Sequence, residues 1–319
     1  MRLSIQRPPH IRSKDTNFTV MLDMISVATC VVSDVVCVML ARRVPNMRDF
    51  SAVITGMLIP LLMPVSISWE IVVSAGLFAI LVAKHPFGGV GQNVFNPAAA
   101  GVAFAMVCWS SSMFSYVAPF HFLPIKITEA LKFVTSPAKA LSLGGVPSAD
   151  FIDMLLGNVA GPMGATNILV LLACLLFLSA RKTINLSMTT SFIVGASLIA
   201  VFLPRADMSG MESFLYEMMS GYMVIGAIFL INDPVTSPKR ALPKVIYGFT
   251  AGIVGMGFRH IGRYEESLLF AILIMNSSVW VLDLLGEHIA HYYRRKQREY
   301  QRNTKAQILD EENSADIKE

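Results

Sequence analysis

Charge is what this sequence has least of. Of its 319 residues only 15% are Asp, Glu, Lys or Arg, while 54% are hydrophobic; an ordinary soluble domain carries about 25% charged residues. The mean hydropathy is +0.57. A water-facing surface of normal charge density is therefore excluded, and the balance requires lipid as solvent. Cysteine is scarce as well. Cys30, Cys37, Cys108 and Cys174 all lie in apolar stretches and form no CxxC pair, which argues against a zinc site or a disulfide framework and leaves them as small core residues. Residues 1–15 are basic and polar, without an apolar h-region, so no cleavable signal peptide is expected and insertion falls to the first spanning helix. The net charge of +4 comes largely from loops and the tail; it speaks for topology and not for nucleic-acid binding.

What is present is a set of long apolar blocks, such as 168–178, 186–203 and 268–285, with charges in the gaps. That is the pattern of bilayer spans of about 20 residues. About nine candidate segments, some shorter than a full span, begin near Phe18, Asp49, Trp69, Pro97, Thr166, Leu186, Ser213, Lys244 and Ser267. The expected fold is an all-α polytopic membrane protein with a polar segment 1–17, a transmembrane domain 18–287 and a charged cytoplasmic tail 288–319. Arg42, Arg43, Arg48, Arg181, Lys182, Lys239, Arg240, Lys244 and the tail cations Arg294, Arg295, Lys296, Arg298 and Arg302 mark one side as cytoplasmic by the positive-inside rule. Alternation places 110–165, 204–212 and 259–266 outside. An odd number of full spans also puts Arg2, Arg7, Arg12 and Lys14 outside, so either the rule fails there or one segment is re-entrant.

An internal repeat is present. Residues 51–64, SAVITGMLIPLLMP, resemble 221–238, GYMVIGAIFLINDPVTSP, in a small residue before Gly, an apolar run and a proline-containing break; 87–101 loosely parallel 261–278. The two copies start from opposite sides, which makes the repeat inverted. Such repeats with broken helices meet around a buried site, because irregular backbone at membrane depth needs cover from protein or a cavity.

Three stretches can carry chemistry. In KHPFGGVGQNVFNPAAAG, 84–101, Gly88, Gly89 and Gly91 permit positive φ, and Asn93 and Asn96 place amides before Pro97 opens a helix. Those amides suit the donor and acceptor edges of a planar ring; a helix-breaking loop whose asparagines cap backbone is the simpler account, and spacing alone favours it. In GNVAGPMGATN, 157–167, the small Gly164 and Ala165 leave the Thr166 hydroxyl approachable. That hydroxyl either caps the next helix or holds a phosphate where free N–H groups and the helix dipole favour negative charge. In FLINDPVTSPK, 229–239, Asn232 and Asp233 precede Pro234; an acid at the inner end of a broken helix is a site by default, unless it caps the turn or pairs with Lys239 or Arg240. Arg259, His260 and Arg263 form an outer cationic cluster that either snorkels or faces a phosphate on Thr166. Asp23, Asp34 and Asp283 lie within spans, as parts of an ion path, as partner-subunit salt bridges or as helix-end residues.

At these motifs the sequence resembles the RnfD/NqrB family of membrane electron-transfer subunits over roughly 10–285. The blocks are PHIRS at 9–13, DFSAVITGML at 49–58, KHPFGGVGQNVFNPAAAG, MGAT at 163–166, NDPVTSP at 232–238 and FAILIMN at 270–276. The resemblance implies FMN joined through its phosphate to Thr166 by a flavin transferase, with Gly164, Ala165, Arg259 and His260 as further FMN contacts. It also implies a second, noncovalent riboflavin, for which Asn93, Asn96, Asn232 and Asp233 are the candidates. Pro162 and Met163 stand where serine or threonine is common. The implied role is a flavin-carrying subunit of an Rnf-type complex in a bacterial or archaeal cell membrane, not a complete enzyme alone. It passes electrons from an outward-facing FMN towards a cytoplasmic partner, coupled to Na⁺ or H⁺ translocation. Its implied partners are the outer FMN subunit RnfG, cytoplasmic RnfC, membrane RnfA and RnfE, and iron–sulfur RnfB. The short gap between PHIRS and DFSAVITG holds one spanning helix where the family often has two, and the missing long N-terminal region favours the Rnf branch. An NqrB-like quinone reductase subunit and a flavin-free solute or ion transporter with inverted repeats are the rival readings.

Overall fold

The computed structural model describes residues 13–43, 49–89, 91–119, 133–262 and 264–316, with backbone alone at 13–17 and 302–316. The PHIRS block (apart from the backbone of Ser13), Arg48 and Arg263 lie outside the described residues, as do the side chains of Lys14 and Arg302.

The chain is helical throughout, and among the described residues its only β feature is an isolated antiparallel bridge between Val117 and Phe133. In order, the helices are α1 Ser13–Leu40, α2 Ser51–Leu61, α3 Trp69–Phe78, α4 Pro97–Cys108, α5 Ser110–Met113, α6 Pro137–Ser142, α7 Phe151–Leu156, α8 Ile168–Ala180, α9 Leu186–Phe202, α10 Gly210–Met219, α11 Met223–Ile225, α12 Ala241–Ile261 and α13 Leu268–Asp316. Helix α3 continues as a π-helix, Ala79–Lys84, and a 3-10 turn, His85–Phe87; α11 continues as a π-helix, Gly226–Leu230. Each π segment runs into a proline-containing break, and such wide turns favour functional regions of membrane helices.

All nine expected segments are helical, yet fewer are long enough to cross a bilayer. Phe18–Leu40, Trp69–Phe87, Ala241–Ile261 and Leu268–Gln301 qualify, and α10 with the α11 segment, bent by 70°, makes a fifth when read as one broken span. Helices α2, α4, α8 and α9 are apolar but only 10–17 residues long. They are short because helix-ending residues interrupt the apolar runs: Pro60 lies in the last turn of α2, and Asn96 with Pro97 and Asn167 set late starts for α4 and α8. The chain is a multi-pass membrane protein.

The repeat is visible in the element order. The first copy runs α2, break 62–68, α3, turn 88–96, α4; the second runs α11, break 231–240, α12, turn 262–267, α13. The copies cap each other, since a helix that stops at membrane depth leaves carbonyls without partners. The Tyr222 hydroxyl of the second copy donates to the Leu62 carbonyl at the end of α2. The Asn96 amide of the first donates to the Leu230 carbonyl at the end of the α11 segment, at 3.3 Å. These two ends lie at opposite ends of α8. The end of α2 meets the turn before α8, whereas Asn232 meets Asn185, just past its far end. Thirteen residues separate them by about 20 Å, as an inverted repeat requires.

Helix α1 runs from one side to the other. Thr19 and Asp23 line a cavity with Thr166, while Asp34, further along, meets Lys84 and His85 beside Ser51, the start of α2. The N-terminal end of α1 therefore shares the Thr166 side. Packing between α9 and α12 depends on small residues: a Cβ at Gly195, Gly248 or Gly252 would overlap the backbone of the facing helix, the close approach that glycine permits in membranes.

Candidate cofactor site around Thr166

The site begins with the loose end of α2. Its last carbonyls are met by the backbone of the MGAT turn, Gly164 N–H donating to Leu61 O at 2.7 Å and Met163 N–H to Met63 O at 3.0 Å. Gly164 is required here, because a Cβ would lie 2.7 Å from the Leu61 Cβ. Ala165 is buried and closes the turn through its N–H on Pro162 O at 3.1 Å. Gly164 and Ala165 thus shape the turn that presents Thr166.

Helix α8 is capped by Asn167, whose Oδ1 accepts from Val170 N at 3.0 Å and whose Nδ2 donates to Leu156 O at 3.0 Å. The alternative in which Thr166 is the N-cap is therefore overturned. Two cap-competent residues stand side by side, and the second, with a donor as well as an acceptor, takes the position. The Thr166 hydroxyl makes no hydrogen bond among the described residues, and the residue is half-buried. It borders a cavity of about 430 Å³ that Thr19, Asp23, Leu61, Val65, Val117 and Met163 also line, within the range of small-molecule sites. On its other flank is a narrow cleft with Tyr116, Ser136, Ser220 and Glu266.

Arg259 and His260, expected as further FMN contacts, line neither of these two cavities. The Arg259 guanidinium is buried between Glu217, at 2.9 Å, and Glu266, at 3.0 Å, and also donates to Ser220 Oγ at 3.0 Å. Glu217 is shared with Arg205, at 2.6 Å, and Glu266 accepts from Tyr222 N at 3.2 Å. Gly221, at φ +60°, makes room, since a Cβ there would overlap the Glu266 carboxylate. Two arginines and two glutamates thus neutralise one another, as buried charges must. The His260 ring nitrogens face the Leu203 carbonyl at 2.7 Å and the Met256 carbonyl at 2.9 Å. In the turn before α13, burial, ahead of its neighbour Glu266, pushes the Glu265 carboxyl up to about 7; burial also raises Glu266 against the pull of Arg259. Arg205, Glu217, Glu265 and Glu266 were not singled out in the sequence. The signal for the three glutamates is acids within or beside apolar runs; Glu217 finds its arginines 12 and 42 residues away and Glu266 finds Arg259 at 7 residues.

At the opposite side, Gly88, Gly89 and Gly91 adopt φ of +118°, +88° and +77°, as their pattern implies. Asn93 donates to Phe95 O at 3.2 Å. Asn96 caps α4 through Ala99 N at 3.1 Å while reaching Leu230 O. Asn232 accepts from Asn185 N at 3.0 Å and donates to Thr189 Oγ1 at 2.8 Å. Asp233 accepts from Thr236 Oγ1 at 2.8 Å and Val235 N at 3.3 Å, so it caps its own turn and pairs with neither Lys239 nor Arg240; burial raises its carboxyl. The four candidates for a second flavin are thus engaged with backbone and neighbours, and the structure brings Asn96 and Asn232 together around the end of the α11 segment. Lys84 is 2% exposed and holds Asp34 at 2.9 Å and Ser51 Oγ at 2.8 Å, with His85 on Asp34 at 2.8 Å. Asp283 lies inside α13 and accepts from Lys239 N, in the turn before α12, at 3.0 Å.

Broken, repeated helices around a cavity bordered by the Thr166 hydroxyl define a helical membrane protein with a site of small-molecule size. The chain belongs to the NQR2, RnfD, RnfE family, which matches residues 5–289. It is similar to the D subunit of the Na(+)-translocating ferredoxin:NAD(+) oxidoreductase complex of Acetobacterium woodii, 29% identical over 300 residues, covering 86% of this chain and 91% of that one. It is 28% identical over 277 residues to the D subunit of the proton-translocating ferredoxin:NAD(+) oxidoreductase complex of Clostridium ljungdahlii, covering 84% of each. The D subunit of an ion-translocating oxidoreductase complex of Stutzerimonas stutzeri is 28% identical over 290 residues, covering 82% of this chain and 81% of that one.

Proposed function

We propose that this chain is the flavin-carrying membrane subunit of an Rnf-type ion-translocating oxidoreductase, with FMN esterified through its phosphate to Thr166. The observation that carries the reading is the Thr166 hydroxyl, without a hydrogen-bond partner among the described residues, held beside a cavity of about 430 Å³ by a turn clamped to α2, while Asn167 does the capping. The residues present fit the group. The first N–H groups of α8 and its dipole favour a phosphate on the preceding residue, and the cavity offers Thr19 and Asp23 as polar groups among apolar walls. When bound, FMN supplies electron-carrying chemistry that no side chain here can. The protein fixes the attachment point through Gly164 and Met163, and it excludes water on one flank with Leu61, Val65 and Val117. The buried Arg259 network holds the outer turns in place.

The relatives are subunits of larger complexes, so this chain is read as acting with RnfG, RnfC, RnfA, RnfE and RnfB in a bacterial or archaeal cell membrane. Current runs from the outer side towards a cytoplasmic partner, coupled to Na⁺ or H⁺ movement. The test is to co-express the chain with a flavin transferase and view the denatured protein on a gel under ultraviolet light. A fluorescent band that Thr166→Ala abolishes is the expected result; a dark wild-type band from competent cells overturns the reading.

A further inference from the structure

Behind the narrow cleft that flanks Thr166 lies a carboxyl group with no role in the site described above. Glu265 is 3% exposed, in the turn between α12 and α13. Its carboxyl neighbours the hydroxyls of Ser136 and Tyr116, two residues that line the cleft together with Thr166. Its Oε1 is buried with no hydrogen-bond partner among the described residues. An ionised carboxylate with one oxygen orphaned in a low-dielectric wall is costly, whereas a neutral carboxyl loses much less on burial. The charged and titratable groups facing it are Glu266 beside it, Lys139 of α6, and Tyr116; Arg259 and Tyr222 stand behind Glu266. Glu266 and Glu217 are matched by Arg259 and Arg205. Among the described residues, Glu265 has only the exposed Lys139 as a cation of its own.

We infer that Glu265 is the charge-compensating proton site of the Thr166 cavity: negative charge arriving beside Thr166 draws a proton from the outer aqueous phase onto Glu265, and its departure releases that proton. The inference rests on the flavin reading for the source of the charge, an electron delivered by a partner subunit or a chemical reductant. The single bond made and broken is the O–H on Glu265. Burial and Glu266 hold the carboxyl at about 7, so both of its forms are populated at neutral pH and a nearby charge shifts the balance readily. Glu265 acts through space and through Tyr116 and Ser136, as a positioning residue.

Two measurements on the full chain test this. In flavinylated protein, optical redox titration across the neutral range is expected to show a midpoint potential whose pH dependence bends near pH 7; the bend disappears in Glu265→Gln and persists, displaced, in Glu265→Asp. In the Thr166→Ala chain, which needs no flavin, infrared spectroscopy is expected to show a protonated-carboxyl band titrating near neutrality that Glu265→Gln removes. Equal pH dependence in wild type and Glu265→Gln, or no such band, overturns the inference. Absence of attached flavin overturns the proposed function instead, and the infrared result then decides the titration of Glu265 alone.

Discussion

At the scale of single residues, what matters is which polar groups are occupied and which are free. Gly164 is tied by geometry to its role: a methyl placed 2.7 Å from the Leu61 Cβ has to push the MGAT turn off the end of α2. Gly164→Val is expected to cost about 1–3 kcal/mol as an overpacked contact and to lower covalent flavin incorporation, read as band fluorescence per unit protein. Glu265 carries a pH signature in stability. Its carboxyl stands at about 7 in the folded chain against an ordinary 4.5, so the neutral form is the one the fold prefers. The contribution is fully present below pH 4.5 and is lost as pH rises through about 7. Thermal unfolding in detergent is expected to show Glu265→Gln gaining on wild type as pH rises through that window; parallel curves would contradict it. Thr166 stood out through the resemblance of its MGAT turn to the family's motif; the residues alone favoured a simple helix cap. The identity of the cap was not legible in the sequence, since Thr166 and Asn167 are both competent and only the reach of Asn167 to Leu156 O, at 3.0 Å, decides between them.

At the scale of elements, the buried ion network joins α10, α12 and the turns around them. Removing one partner leaves an uncompensated buried charge, which costs about 3–5 kcal/mol. Glu217→Ala is therefore expected to destabilise the chain by roughly that amount and to lower yield in membranes, whereas Arg240→Ala, on the exposed pair with Glu287 at 4.0 Å, should change stability by less than about 1 kcal/mol. Equal losses from the two variants would contradict the assignment. Sequence reading located the nine apolar segments because apolar runs announce themselves, and it missed the short α5, α6 and α7 of the 110–165 connection. It overestimated how many are long enough to span, because Pro60 in α2 and the late starts at Asn96 and Asn167 cut the runs short. Arg259 was visible as an outer cation but its partners were not: Glu217 lies 42 residues away, and only the fold brings it near.

At the scale of the whole molecule, two repeats cap each other's broken helices, and one of the two breaks anchors the turn that presents Thr166. The repeat, its inversion and the Thr166 turn could be read from residue order; the reciprocal capping by Tyr222 and Asn96 could not, since each reaches more than a hundred residues along the chain. Tyr222→Phe frees the Leu62 carbonyl and is expected to cost about 1–3 kcal/mol for the buried acceptor left unpaired, with reduced flavin attachment because the end of α2 loosens. The most direct measurement is mass spectrometry of the peptide containing Thr166, taken from chain produced alongside a competent flavin transferase. That peptide is expected to carry the mass of an esterified FMN on Thr166. Full recovery of the same peptide without the added mass would contradict the flavin reading.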